Sequence, residues 1–229
     1  MKFSAVPFVL LLSAASIAQA PVEITSEPSH HLEFQNEFVR VFKVEIPAHG
    51  ATLLHRHTHD YFVFALAPAN AISEVPGKPP APFKMAAGEV GFAPGNFVHI
   101  VRNQADAPFP NVDVEILKPT SYKWDEERGV SVLEGGTHEI FFVKDGIRAG
   151  ETDLQPHAMI PKHTHHSPHL VIAITDIDLE NASEGQPPKH VRLKSGEVAW
   201  AEAGITHTVM NVGHETVKFI SLEFPPAAK

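Results

Sequence analysis

The sequence predicts an all-β chain, a sandwich or barrel present in two tandem copies, and three observations carry that prediction. Short runs rich in Val, Ile and Phe are separated at close spacing by Gly, Pro, Asn and Asp. No stretch longer than about ten residues holds a 3.6-residue hydrophobic period free of Gly or Pro, so helices should be few and short. The chain also aligns with itself, without a gap, at a shift of 108 residues.

Taken in order, residues 1–20 hold a single Lys, an apolar run from Val6 to Leu12 and the small-residue stretch Ala18-Gln19-Ala20. They read as a secretory signal, so the mature protein is expected to be soluble and secreted or periplasmic, with no membrane span after processing. The strand-like runs that follow include 38–46, 61–66, 112–117, 171–174 and 217–224. The segment PGKPPAP from Pro76 is too rich in proline for an interior strand and is expected as an external loop.

At the 108-residue shift His55 falls on His163, His57 on His165, Gly88-Glu89-Val90 on Gly196-Glu197-Val198, His99 on His207 and Asn103 on Asn211. Arg40 falls on Arg148 and Glu115 on Glu223 in the same alignment. Agreement at both ends of so long a span makes the chain a duplicated domain. The expected division is a leader at 1–20, a first barrel at 21–118, a polar connector at 119–129 and a second barrel at 130–229.

Composition narrows the function. Eighteen Lys and Arg against 27 Asp and Glu give a net charge of −9, which argues against nucleic acid as a partner. The absence of cysteine removes disulfides, thiolate metal sites and a cysteine nucleophile together. No phosphate-binding loop, dinucleotide fingerprint or nucleophile elbow is present. The 16 histidines are therefore the informative residues. In a strand, residues i and i+2 share a face, so His55 with His57 and His163 with His165 can project together.

These residues resemble the cupin superfamily, whose first motif is G-x5-H-x-H-x3,4-E-x6-G and whose second is G-x5-P-x-G-x2-H-x3-N. The first appears from His55 to Tyr61 and from His163 to His169; the second appears as GEVGFAPGNFVHIVRN from Gly88 and GEVAWAEAGITHTVMN from Gly196. Both motifs occur in both halves, so the resemblance is to a bicupin, quercetinase-like in type. It implies two tandem jelly-roll β-barrels, each with a divalent metal pocket. The implied ligands are His55, His57 and His99 in one half and His163, His165 and His207 in the other, with His169 as a potential fourth.

The departures from the motifs are informative. Where cupins place a glutamate ligand this chain has Tyr61 and His169. Asn96 stands where the family has glycine, Glu202 replaces proline, Gly50 is one residue too near His55, and Ala158 occupies the matching place before His163. Three neutral imidazoles leave a 2+ ion uncompensated and, in six-coordination, leave three positions open. The first site, His55, His57 and His99, is therefore expected to favour an anionic bidentate ligand such as an enolate, catecholate or 2-oxo acid, with Tyr61 able to donate a hydrogen bond to it, whereas the second, with His169 as a potential fourth ligand, is expected to be more saturated, serving a structural role or releasing His169 as an acid or base. All-imidazole ligation accepts iron or manganese, taken first here, and also nickel, copper and zinc.

Among the other histidines, His59 and His166 are expected to be exposed, His30 and His31 lie close to the processed terminus and could bind adventitious metal, and His49, His138, His157, His190 and His214 read as surface residues. Arg40 and Arg148 would recruit a carboxylate if they lined a barrel, although an exposed strand arginine is the commoner case. Asn103 and Asn211 read as residues that close turns or bond backbone. Three function classes stay open. A metal-dependent dioxygenase is favoured; a metal-dependent lyase or isomerase lacks its expected carboxylates; a non-catalytic binding module for small molecules or metal is the third. Exposed edge strands would permit a homodimer.

Overall fold

The computed structural model of the protein describes residues 20–125 and 128–226. The expected leader therefore lies, except for Ala20, outside the described residues. Ten strands make up the first half: Val22–Glu23 (β1), His30–Gln35 (β2), Val39–Ile46 (β3), His55–His57 (β4), Tyr61–Ala65 (β5), Ala69–Glu74 (β6), Ala81–Met85 (β7), Val90–Ala93 (β8), Phe97–Asn103 (β9) and Phe109–Ile116 (β10). Ten follow in the second: Gly129–Leu133 (β11), Gly136–Lys144 (β12), Ile147–Leu154 (β13), Met159–Thr164 (β14), His169–Ala173 (β15), Ile177–Ser183 (β16), Lys189–Leu193 (β17), Val198–Ala201 (β18), Thr206–Asn211 (β19) and Val217–Glu223 (β20). Among the described residues the sole helical element is a 3-10 turn at Ile24–Ser26.

Each half is a pair of sheets. In the first, β1-β4-β9-β6-β7 faces β2-β3-β10-β5-β8; in the second, β14-β19-β16-β17 faces β11-β12-β13-β20-β15-β18. This is the all-β jelly-roll architecture, made twice. The proline-rich segment is a turn followed by β7, whose Ala81 and Pro82 sit on the outer edge of their sheet, where a missing backbone donor costs no ladder bond.

The two central strands, β10 and β20, explain how the halves join. Val112, Val114 and Ile116 alternate with Asn111, Asp113 and Glu115, and all six are buried. The apolar set packs into one cluster with Val39, Val41, Phe62 and Phe64 of the same half and with Ile147, Leu170, Ile172, Ile220 and Leu222 of the other. A side chain of this size, fully buried, contributes about 1.5–3 kcal/mol, so this shared core binds the two barrels to each other. The opposite face of each central strand looks into its own barrel. There the first half places Phe109, Asn111, Asp113 and Glu115, whereas the second places Val217, Phe219, Ser221 and Glu223.

The connector is pinned to the second barrel. Thr120 donates its backbone N–H to Asp145, Trp124 donates its indole N–H to the Gly146 carbonyl at 2.9 Å, and the Arg148 guanidinium lies 4.3 Å over the Trp124 ring. The motif turns take the backbone shapes their residues permit. Asn96, in place of the family's glycine, has φ 56°, and its counterpart Gly204 has φ 89°. Asparagine is among the few side chains that tolerate this region.

Candidate metal centres

The histidines of the two motifs meet across one sheet in each barrel. His55 on β4 is directly opposite His99 on β9, and His163 on β14 is directly opposite His207 on β19. Period-two alternation brings His57 and His165 to the same inward face. His55 Nε2 then lies 3.1 Å from His57 Nε2, His163 Nε2 lies 2.9 Å from His165 Nε2, and His165 Nε2 lies 3.2 Å from His207 Nε2. The His99 ring centroid is 4.6 Å from that of His55 and 5.4 Å from that of His57.

The other ring nitrogens show which atoms face inward. His55 Nδ1–H donates to the Leu53 carbonyl at 2.9 Å and His163 Nδ1–H to the Pro161 carbonyl at 2.8 Å. Each bond fixes the tautomer and leaves Nε2 with a bare lone pair. His99 Nδ1 is 3.1 Å from Ser73 Oγ, and its buried Nε2 has no hydrogen-bond partner among the described residues. An ion bound at about 2.1 Å sets adjacent nitrogens roughly 3.0 Å apart in an octahedron and roughly 3.4 Å apart in a tetrahedron. The observed separations fit three adjacent positions of an octahedron, so the residues present suit a divalent metal.

Burial favours the neutral form of His55, His57, His99, His163 and His207. It pushes His55, His57 and His163 below the usual histidine range, His99 down to about 3 and His207 down to about 4, with the neighbouring imidazoles adding to the effect for all but His55, where His30 does so instead. A neutral ring is the form that ligates.

Tyr61 and His169, at the family's glutamate position, do something else. Tyr61 stacks on His57 with centroids 3.7 Å apart and planes 8° apart; His169 stacks on His165 at 4.0 Å and 24°. Rings stacked this way have parallel in-plane lone pairs, so His169 adds no nitrogen to the cluster of His163, His165 and His207. The sequence places it as a potential fourth ligand; in the structure it stands outside the three-histidine group. Its Nδ1 is buried without a partner, and burial lowers its pKa to about 4. Tyr61 is likewise buried, and burial raises its hydroxyl above the usual phenol range.

A carboxylate is nevertheless present in each barrel, reached from a different strand. Glu115 Oε1 lies 3.9 Å from His57 Nδ1 and Glu223 Oε1 lies 3.9 Å from His165 Nδ1. Each stands behind the second histidine, at the nitrogen pointing away from the cluster, at ion-pair and not hydrogen-bond distance; among the described residues His57 Nδ1 and Glu115 Oε1 have no hydrogen-bond partner. Arg40 and Arg148 sit across the ladder and pair with these acids, Arg40 Nη1 at 3.1 Å from Glu115 and Arg148 Nε at 2.6 Å from Glu223. Burial raises the pKa of Glu115 despite Arg40. Glu223 is lowered, because hydrogen bonds and charge from His165 and Arg148 outweigh its burial.

The barrels then diverge. The first cavity, about 360 Å3, holds His30, which the sequence reading set aside as a terminal residue. His30 Nδ1 is 2.6 Å from Glu27 Oε2, and its Nε2 is 3.4 Å from Asp113 Oδ2. Burial opposes its charge, yet Asp113 and Glu27 raise it to about 9. The second cavity is larger, about 630 Å3, and lined by apolar residues including Leu133, Ile160, Leu179, Val191 and Phe219. Where the first barrel has Glu27 and Asp113, the second has Gly135 and Ser221 at the 108-residue shift. His138, read as a surface residue, is half-buried and lines this cavity, its Nδ1 2.9 Å from Thr152 Oγ1. The shift that found the motifs also pairs His30 with His138, which was the available signal for both. His31, His49, His157, His166, His190 and His214 are exposed, as expected, and His59 is half-buried.

No protein-family model matches the chain, and no curated protein does. Solved structures do match. AerE from Microcystis aeruginosa is 14% identical at a TM-score of 0.59, over 87% of this chain and 98% of that one. A Bacillus subtilis oxalate decarboxylase variant is 11% identical at 0.62, over 85% and 71%. A variant of the salicylate 1,2-dioxygenase from Pseudoaminobacter salicylatoxidans is 12% identical at 0.56, over 82% and 69%.

Proposed function

We propose that this chain, a bicupin by its fold, is an exported metal-dependent oxidoreductase of dioxygenase type. Its substrate is a small chelating anion with an apolar body, bound in the second barrel. One observation carries the reading: a three-imidazole cluster opens into an apolar cavity of about 630 Å3 whose one neighbouring carboxylate, Glu223, is already paired with Arg148. An ion held there by His163, His165 and His207 lacks protein counter-charge and has free positions, so an enolate, catecholate or 2-oxo acid completes it in charge and in coordination.

When bound, the metal would supply Lewis acidity and a template for such a ligand; three imidazoles with open positions suit iron or manganese, and nickel, copper or zinc as well. The protein supplies the rest. Leu179, Val191 and Phe219 enclose the apolar body and exclude water. His169 Nδ1, neutral and without a partner, accepts a hydrogen bond or a proton from a ligand hydroxyl. Glu223 stands behind the His165 ring at ion-pair distance. Export is supported by the pattern of residues 1–20 and is tested by sequencing the N-terminus of the mature protein.

The test is oxygen uptake by the metal-reconstituted protein with catechols, flavonols and diketones, beside carbon dioxide release from small oxo acids. Uptake lost in His207→Ala and in Leu179→Trp, which fills the cavity, but kept in His99→Ala is the expected result. Carbon dioxide release without uptake would favour the lyase class. Uptake that survives His207→Ala and is lost in His99→Ala would place the reaction in the other barrel and overturn the assignment.

A further inference from the structure

Beyond the two motifs the duplication carries two more pairs of imidazoles, the exposed His49 with His157 and His30 with His138, and the first-barrel member of the latter is placed as a ligand would be. His30, on β2, is 8% exposed, and its ligand nitrogen lies within 4.8 Å of those of His55 and His57. Its ring centroid is 4.9 Å from that of His55 and 6.0 Å from that of His57. Nitrogens on opposite sides of an ion with bonds of about 2.1 Å are roughly 4.2 Å apart, so the His30 nitrogen stands close to ligating reach of the His55 and His57 nitrogens, and ligation with His99 as well asks the rings to draw together.

We propose that His30 is a fourth nitrogen donor of the first-barrel metal centre, binding through Nε2, with Glu27 as the carboxylate that orients it. The proposal rests on the metal reading given above.

Glu27 is built for that task. It is 2% exposed, accepts the backbone N–H groups of Ser29 at 2.7 Å and Leu53 at 2.9 Å, and takes the Nδ1–H of His30 at 2.6 Å. The Leu53 carbonyl in turn fixes His55 Nδ1, so one short segment aligns both rings and turns both Nε2 atoms toward the cluster. The Nε2 side of His30 is held more loosely, with Asp113 Oδ2 at 3.4 Å, beyond a good N–H···O bond. Asp113 Oδ1 is buried with no partner. On ligation the proton between Nε2 and Asp113 passes to solvent, and Asp113 and Glu27 remain as two negative charges beside the ion.

The second barrel keeps the histidine, as His138, but not the two acids that hold it. Gly135 and Ser221 replace the two acids, and His138 engages Thr152 Oγ1 through Nδ1 instead. The first centre is thereby nitrogen-rich and charge-compensated from within, while the second is left for an anionic ligand.

The experiment uses the full-length His207→Ala protein, so that only the first centre is populated. Mn2+ binding is measured by titration, and coordinated imidazoles are counted by pulsed EPR on the Cu2+-loaded protein. Adding His30→Gln should weaken Mn2+ binding tenfold or more and lower the imidazole count by one. Glu27→Gln, which leaves His30 in place, should weaken binding ten- to a hundredfold, and covers the case in which the His30 variant fails to fold. Unchanged affinity and count in His30→Gln, or unchanged affinity in Glu27→Gln, would overturn the proposal. A His207→Ala protein that binds no Mn2+ would overturn it and leave the second-barrel reading standing; a wild-type protein that binds none would overturn both.

Discussion

Replacing Asn103 by alanine should destabilise the protein by about 3 kcal/mol while leaving the metal-binding nitrogens in place. The side chain is fully buried. Its Nδ2 lies 3.2 Å from the Ile46 carbonyl, 3.1 Å from Pro47 and 2.8 Å from Ala107, and its Oδ1 accepts the Ala105 N–H at 2.9 Å. Two N–H groups serving three carbonyls, plus one accepted bond, amount to about three net hydrogen bonds at about 1 kcal/mol each. The Asn ties the end of β3 to the turn after β9, the strand that carries His99 four residues earlier. Because the two barrels share one apolar core, a single cooperative transition should move, by about 6–12 °C for a chain of this size. Thermal melts by circular dichroism would read it, with Mn2+ stoichiometry measured in parallel. A melting point within 2 °C of wild type together with loss of metal would refute the reasoning, since the asparagine would then serve the site and not the fold. Asn211→Ala should behave alike, its amide meeting Leu154, Glu215 and Gly213 in the same pattern.

Three further outcomes follow from the same geometry. Glu223→Gln keeps the shape behind His165 but not the charge, and should weaken metal at the second centre ten- to a hundredfold in a chelator competition, with the first centre unchanged. The metal-free protein should be most stable near pH 6.5. Below that value the unfolded chain protonates histidines that the fold keeps neutral, with His99 at about 3 and His207 at about 4, so stability falls as pH drops from 6.5 toward 4. Above it, the fold retains the proton on His30 up to about 9 where the unfolded chain has lost it, so stability falls again by about 3 kcal/mol between 6.5 and 9. Urea midpoints across pH would show both limbs; a flat profile, or an alkaline limb that survives in His30→Gln, would contradict the assignment. Asn96→Val should cost about 1–2 kcal/mol, since a β-branched residue is strained at φ 56°, whereas Asn96→Gly should cost little.

Much of the architecture was legible because strands announce themselves locally. The apolar runs expected at 38–46, 61–66 and 217–224 are β3, β5 and β20 within a residue at each end, and the 108-residue shift exposed the duplication. What stayed hidden depends on which face of a strand looks where. In β10 the alternation Asn111-Val112-Asp113-Val114-Glu115 reads as polar residues turned to water, but both faces are buried, one between the barrels and one inside. Asp113 and Glu115 therefore look like surface acids in sequence and are cavity acids in the structure. His169 is four residues past His165, a spacing that suggests a ligand, yet His165 lies just past the end of β14, His169 opens β15, and their rings stack. His30 reaches its cluster only through the fold of β2 over the barrel, and the sequence marks it by nothing except its partner at 138.

The account's central claim is that each barrel carries a histidine-bound divalent ion and that the second presents its ion to an apolar cavity. Elemental mass spectrometry of the untagged mature protein, with His99→Ala and His207→Ala beside it, tests this most directly. Two equivalents of metal in the wild type, with one lost in each variant, is the result the account predicts. No metal above background after add-back, or two equivalents retained in both variants, would contradict it.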